Sequence, residues 1–531
     1  MRAAQGQNSP VVHLPAGRLR GATEGGVAAF RRVPYAAPPT GGLRWRPAQP
    51  YAGWSGVRDA TTDGPSAPQS YTEGGDPVLG GHGSPPFDDD CLTLNVWTPS
   101  ADDAGRPVLV WIHGGGFVSG SGSLPNYSGE AFARNGDLVV VSVNYRIGPL
   151  GYLYFGADGT DGADSADGAS GGDSRAGDEG AAEPGNFWLT DQIAALRWVH
   201  DHIAHFGGDP DRITVAGQSG GAVSTAALAG HPEAQGLFRR AILQSPPLGL
   251  HIPTPAEYLP RTAAYLRLAG VRDVDGLRAL PWPRLIEAAQ GLFGQTRRWG
   301  YWPTPFLPVR DGVTLRRHPA RTLLHDAAAD IDVMIGWTRE EATFGFALDE
   351  GYAAATRGQV LERIAETFPD RADEVYGTYE EVRAGARPVD VLMGLISDEL
   401  FRAPCVELAE ARAELGRPVW AYQFDFPTPA LQGRLAATHC LELPFVFGDF
   451  ARWSHAPFLS GIDPAVRTGL GHAMHQAWIA FVRTGDPNHP DLPGWERYAA
   501  PARTTMRFDA VTAADGDPAG VARRLHHRAS R

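Results

Sequence analysis

Ser219 is the residue whose setting says most about chemistry. It stands in Gly217-Gln218-Ser219-Gly220-Gly221, after the apolar β-branched run Ile213-Thr214-Val215-Ala216 and before residues 222–228, which can continue as a helix. Strand, sharp glycine turn and helix together present a serine hydroxyl as a nucleophile. The flanking glycines are a steric requirement, because neighbouring Cβ atoms would clash in so strained a turn. A second glycine-rich segment, His113-Gly114-Gly115-Gly116-Phe117, follows the apolar run Val108-Leu109-Val110-Trp111-Ile112. Its bare backbone N–H groups suit the oxyanion of an acyl-transfer reaction. The two segments together imply an acyl-transfer hydrolase. Gly168-Ala169-Ser170-Gly171-Gly172 repeats the pentapeptide pattern, but in a Gly/Asp/Ala/Ser tract with no strand before it and no helix after it. Context therefore makes Ser170 linker and Ser219 the nucleophile.

The elements that must position these segments alternate. Strand candidates at 92–97, 108–112, 138–144, 213–216, 241–244, 332–336 and 419–426 are separated by helical patterns such as 189–205 and 390–415, after a β-rich entry over the first fifty residues. That alternation predicts an α/β fold with a large, mostly parallel sheet flanked by helices on both faces. No linker divides two independent hydrophobic patterns, so residues 1–531 read as a single domain. Residues 156–184 are acidic, low in complexity and poor in apolar side chains, which predicts a disordered surface insertion.

Composition removes several chemistries. All 47 basic residues are arginine, so Schiff-base, P-loop and Ser-x-x-Lys lysine chemistry is excluded. The net charge of −13 argues against nucleic acid and anionic lipid, although eight of the acids lie in the 156–184 tract against one arginine, Arg175. The three cysteines, Cys91, Cys405 and Cys440, have no metal-ligand spacing and suit free thiols in a reducing compartment. With no hydrophobic leader and no apolar stretch of membrane-spanning length, a cytoplasmic protein is expected.

Further blocks carry a resemblance. Asn144-Tyr145-Arg146-Ile147-Gly148-Pro149-Leu150-Gly151 and Phe206-Gly207-Gly208-Asp209-Pro210 closely resemble the type-B carboxylesterases, the cholinesterase/lipase branch of the α/β-hydrolases. So do Pro34-Tyr35-Ala36, Leu43-Arg44-Trp45, Asp90-Cys91-Leu92-Thr93-Leu94-Asn95-Val96 and Leu443-Pro444-Phe445-Val446-Phe447-Gly448. The resemblance runs from about residue 17 to about 509, with bacterial para-nitrobenzyl esterases the most similar group. It implies the α/β-hydrolase fold and hydrolysis of small to medium soluble carboxylic esters through an acyl-enzyme. No metal and no organic cofactor are expected, and the partner is a small-molecule ester. Amide or carbamate hydrolysis on the same triad, or a non-catalytic binding protein of the superfamily, are the alternatives.

The remaining catalytic residues come from the resemblance. The chain order Ser, acid, His places the acid after Ser219. In Gly336-Trp337-Thr338-Arg339-Glu340-Glu341 the residues alone leave both glutamates open, and the family segment selects Glu341. Among the seven histidines that follow, His439 matches the family's His-x-x-Glu-Leu through Leu441-Glu442-Leu443. Gly115, Gly116 and Gly220 correspond to a three-donor oxyanion hole. Gln218, Phe117, Trp302, Phe344, Phe346 and Phe401 are candidates for the substrate pocket, with Trp188 a further aromatic of the same kind. Arg44 and Asp89 are expected to pair, and Ser224 to orient groups near the triad. Gln218 stands where the family usually has glutamate, and residues 70–87 contain no tryptophan, so quaternary ammonium esters are disfavoured. Ala67 stands where many relatives have a cysteine that pairs with the equivalent of Cys91, so the resemblance implies that the disulfide-bounded lid of the related lipases is absent.

Overall fold

The computed structural model describes residues 9–70, 76–81, 86–156, 185–383 and 385–527. Neighbouring parallel strands form the middle of an 11-stranded sheet: Val139–Val143, Arg106–Ile112, Gly208–Gln218, Arg240–Gln244, Asp332–Thr338, Val419–Phe424 and Thr504–Phe508. Ala513–Gly516 closes one edge antiparallel. Thr93–Thr98, Val27–Pro34 and Ala22–Glu24 extend the other edge, each antiparallel to its neighbour. Val11–Leu14, Gly17–Arg20 and Val57–Asp59 form a separate three-stranded sheet, whose Val12, Leu14 and Leu19 join one of the cores of the large sheet.

The apolar runs form strands because both sheet faces are covered, as parallel sheets require. Alternate residues of one strand enter opposite cores: Val108, Val110 and Ile112 pack on one side, Leu109 and Trp111 on the other. The same division separates Ala241 and Leu243 from Ile242. Helices Phe187–His202 and Pro464–Thr484 belong to opposite cores, through Leu189, Ile193 and Leu196 in one and Met474, Trp478 and Phe481 in the other.

Differences from expectation have local causes. The serine strand begins at Gly208, because its pairing with Arg106–Ile112 extends to Arg106↔Gly208. The helical pattern at 390–415 is two α-helices, Pro388–Ser397 and Ala403–Glu414, joined by a π-helical turn, Asp398–Arg402. Pro404 follows that turn and has no N–H for the carbonyl one turn earlier, a defect that an added residue absorbs. A further helix, Gly520–His527, follows the last strand, with Ala522 and Leu525 buried. The expected disordered tract lies outside the described residues from 157 to 184, as does Ser170.

Candidate active site

Ser219 sits at φ 57°, ψ −125° between the end of the strand Gly208–Gln218 and helix Gly220–Ala229. This left-handed backbone costs an L-residue free energy, and the surrounding packing enforces it. The Ser219 N–H donates to Gln244 O at 2.8 Å. Gly221 lets the helix approach the neighbouring strand: a Cβ there would lie 2.1 Å from Ile112 O and 2.6 Å from His113 O. Gly221→Ala should therefore cost at least the ~1–3 kcal/mol of ordinary overpacking, because the obstacle is backbone. The expected result is a melting temperature lower by several degrees, read in a thermal scan, with reduced ester turnover as the serine turn shifts.

The triple-glycine segment is braced from beneath. His113 is buried and stacks on Tyr145 with ring centroids 4.5 Å apart. Burial pushes the His113 ring down to about 4, against its hydrogen bond to Gly114, so the ring is neutral and Nδ1–H donates to Gly114 O at 2.8 Å. Tyr145 Oη–H donates to His113 O at 2.8 Å, and the Gly148 N–H to Phe117 O at 2.7 Å. The Arg146–Asp191 ion pair, buried and bidentate at 2.8 and 2.6 Å, ties this support to the helix Phe187–His202. Gly115 turns at φ 118°, where a Cβ would lie 2.1 Å from Ser119 O. Among the described residues, the N–H groups of Gly115, Gly116 and Gly220 donate to nothing. Three uncommitted donors thus adjoin the serine, one of them at a helix N-terminus, where negative charge is favoured.

His439 Nδ1 lies 2.5 Å from Glu341 Oε2, and both side chains are buried. Glu341 Oε1 accepts from the Thr338 N–H at 2.7 Å. Glu340 points elsewhere: it pairs with Arg339 and Arg383 and accepts from the Ala437 N–H at 3.0 Å. Burial opposes charge on the His439 ring, but the Glu341 carboxylate at Nδ1 favours it and holds the pKa above the ordinary histidine value. Nε2 faces the Gln218 amide nitrogen at 3.1 Å, and the Ser219 hydroxyl makes no hydrogen bond among the described residues.

Aromatic rings wall the histidine. Trp302, Phe344 and Phe401 have centroids 5.9, 5.8 and 5.1 Å from the His439 ring. Phe346 packs on Trp302 and Tyr352 instead, and Phe117 lies beside Gly220 and Tyr152. Trp188 stacks on Tyr152 in the core. Trp302 also lines a cavity of about 790 Å³ with Leu248, Tyr301, Ile396 and Leu400, which Ser219, Glu341 and His439 do not line. Arg44 and Asp89 form a buried ion pair. Ser224 Oγ accepts from Gln192 Nε2 at 3.1 Å, and among the described residues no hydrogen bond joins it to Glu341 or His439.

The family model described as the carboxylesterase family matches residues 8–163 and 176–519. The chain belongs to the carboxylesterase family. Its architecture is the α/β-hydrolase fold, and it is an ester hydrolase. It is 49% identical over 491 residues to phenmedipham hydrolase of Pseudarthrobacter oxydans, covering 92% of this chain and 93% of that protein. It is 32% identical over 519 residues to para-nitrobenzyl esterase of Bacillus subtilis (strain 168), covering 96% of each. Among solved structures, the Geobacillus stearothermophilus carboxylesterase Est55 superposes with a TM-score of 0.82 at 37% identity, covering 97% of this chain and 99% of that one.

Two features of this carboxylesterase were not legible beforehand. Glu442 is fully buried, accepts from Gln244 Nε2 at 3.3 Å, and is pushed up to about 7 by burial and by the nearby Glu341 charge. Its place in the His-x-x-Glu-Leu block was visible, but nothing in the sequence marked it as a shifted carboxyl beside the acid–histidine pair. The Gln218–His439 contact joins residues 221 positions apart, and no local pattern reports such a contact. Among the described residues, no helix is long and apolar enough to cross a membrane.

Proposed function

We propose that the protein hydrolyses small to medium carboxylic esters through an acyl-enzyme on Ser219, with His439 as general base and Glu341 orienting it. The observation that carries this reading is the buried 2.5 Å contact of His439 Nδ1 with Glu341, set beside a serine held at φ 57° on a strand-to-helix turn. Glu341 accepts a hydrogen bond from Nδ1–H, which fixes the proton there and leaves the Nε2 lone pair as the base. Ser219 Oγ attacks the carbonyl carbon while its proton passes to Nε2, and the N–H groups of Gly115, Gly116 and Gly220 receive the oxyanion. The tetrahedral intermediate collapses as the bond to the alcohol oxygen breaks, and Nε2–H protonates that oxygen. Water then attacks the acyl carbonyl, gives its proton to His439, and Ser219 leaves as the hydroxyl. Trp302, Phe344 and Phe401 keep bulk water from the imidazole, and the uncharged Gln218 favours neutral esters over cationic ones.

The described strands of the large sheet run from Ala22 to Gly516, which supports one domain throughout. Unpaired Cys91, Cys405 and Cys440 support a reducing, cytoplasmic setting. A second reading is carbamate hydrolysis at the same serine, favoured by the 49% identity to a protein named for hydrolysis of phenmedipham, a carbamate. The chemistry differs only in leaving a carbamoyl rather than an acyl group on Ser219. Turnover of a para-nitrophenyl acyl series from acetate to decanoate, beside phenmedipham, tests both readings. Ester turnover lost with Ser219→Ala supports the first, and parallel loss of phenmedipham turnover supports the second. Silence toward every ester in the wild type would sink the ester reading.

A further inference from the structure

We infer that Gln218 is a positioning residue for His439: its amide occupies Nε2 in the resting enzyme and sets the pH at which the imidazole becomes free to act as base. The inference rests on the proposed role of His439 as general base. Gln218 is buried, and its Nε2 lies 3.1 Å from His439 Nε2 and 3.3 Å from Cys440 Sγ. Glu341, as a carboxylate, only accepts, so in the neutral ring the Nδ1 of His439 carries the proton and Nε2 presents a lone pair. A donor must face that lone pair, and the amide N–H of Gln218 is the donor in place.

The backbone of Gln218 is fixed by its register opposite Gln244, and its side chain runs through a slot that Gly114 leaves open. A Cβ at residue 114 would lie 2.9 Å from Gln218 Oε1 and 2.6 Å from the Gln218 carbonyl oxygen. The amide is thereby held against the histidine by the same glycine segment that lies beside the serine.

Donation to Nε2 stabilises the neutral ring, and the Ser219 hydroxyl must displace the amide before its proton can be transferred. The amide thus opposes the groups that favour imidazolium. Those are Glu341, from the loop after strand Asp332–Thr338, and Glu442, from the segment of His439 itself, where burial keeps the neighbouring Cys440 an uncharged thiol. The other side chains against the ring, Trp302, Phe344 and Phe401, do not titrate. A carboxylate in place of the amide would accept from Nε2–H and hold the ring charged.

The base works only when neutral. Its folded pKa lies above the ordinary histidine value, so kcat/KM is full at high pH and falls as pH drops through that raised pKa. Gln218→Glu should move this acid limb upward by about 1–3 pH units, the effect of a close opposite charge. Gln218→Met, which keeps the length but removes the donor, should move it upward by less. The experiment measures pH–kcat/KM profiles of wild type and both variants on a neutral para-nitrophenyl ester. Alongside them, the ring nitrogens of His439 are titrated by NMR in histidine-labelled protein. Limbs and ring titrations in the order wild type, Met, Glu support the inference. Coincident limbs and coincident ring titrations in folded variants overturn it. Ester turnover that survives Ser219→Ala would instead overturn the reading of the nucleophile on which it rests.

Discussion

Replacing Ser219 with alanine is expected to lower kcat for a para-nitrophenyl ester by about 10⁵–10⁶-fold, the scale seen when a triad nucleophile is removed. The oxyanion donors and the aromatic wall remain, so the residual rate should still exceed uncatalysed hydrolysis by about 10³–10⁴. The fold should survive. Alanine must adopt the same φ of 57° that serine adopts, so the backbone strain is unchanged, and the hydroxyl has no hydrogen bond to lose among the described residues. Steady-state kinetics with a thermal melt of both proteins decides the matter. A variant as active as wild type would place the nucleophile elsewhere.

The second large effect belongs to Glu341→Gln, expected to lower kcat by about 10⁴-fold at nearly unchanged volume. Glu341 accepts two hydrogen bonds, from the Thr338 N–H at 2.7 Å and from His439 Nδ1 at 2.5 Å. A glutamine that keeps the first with its oxygen turns an N–H toward Nδ1. That selects the tautomer protonated at Nε2, which cannot take a proton from Ser219, and the imidazolium loses its counter-charge. Glu340→Gln is the internal control. Its bonds run to Arg339, Arg383 and the Ala437 N–H, so the loss should register in melting temperature and leave turnover within about 10-fold. Equal turnover losses in the two variants would contradict the assignment.

Those adjacent glutamates illustrate where reading the chain alone reaches its limit. One residue of displacement sends one carboxylate to a histidine 98 positions away and the other into an arginine cluster. The strand-end geometry that separates them is set by register between distant strands, which local pattern does not encode. Ser224 makes the same point: the resemblance sets it near the triad, but its hydroxyl accepts from Gln192. Phe346, grouped with Phe344 by its place in a family-like loop, faces Tyr352 and Trp302 rather than His439, because helical residues two apart diverge by about 200°. Trp188, beside the expected helix start, is core.

What the chain determined unaided is what short-range chemistry can specify. Apolar β-branched runs spaced by amphipathic helices required a covered parallel sheet. Glycines at 217, 220 and 221 required a turn too tight for side chains, and the triple glycine required an open backbone. Each depends on neighbours within a few residues. Tertiary structure alone decided which donors stay uncommitted, which buried carboxyl meets the imidazole, and that Gln218 rather than Ser219 faces Nε2 at rest. Those are distances between strand ends and loops brought together by packing, where a shift of about 1 Å makes or breaks a hydrogen bond.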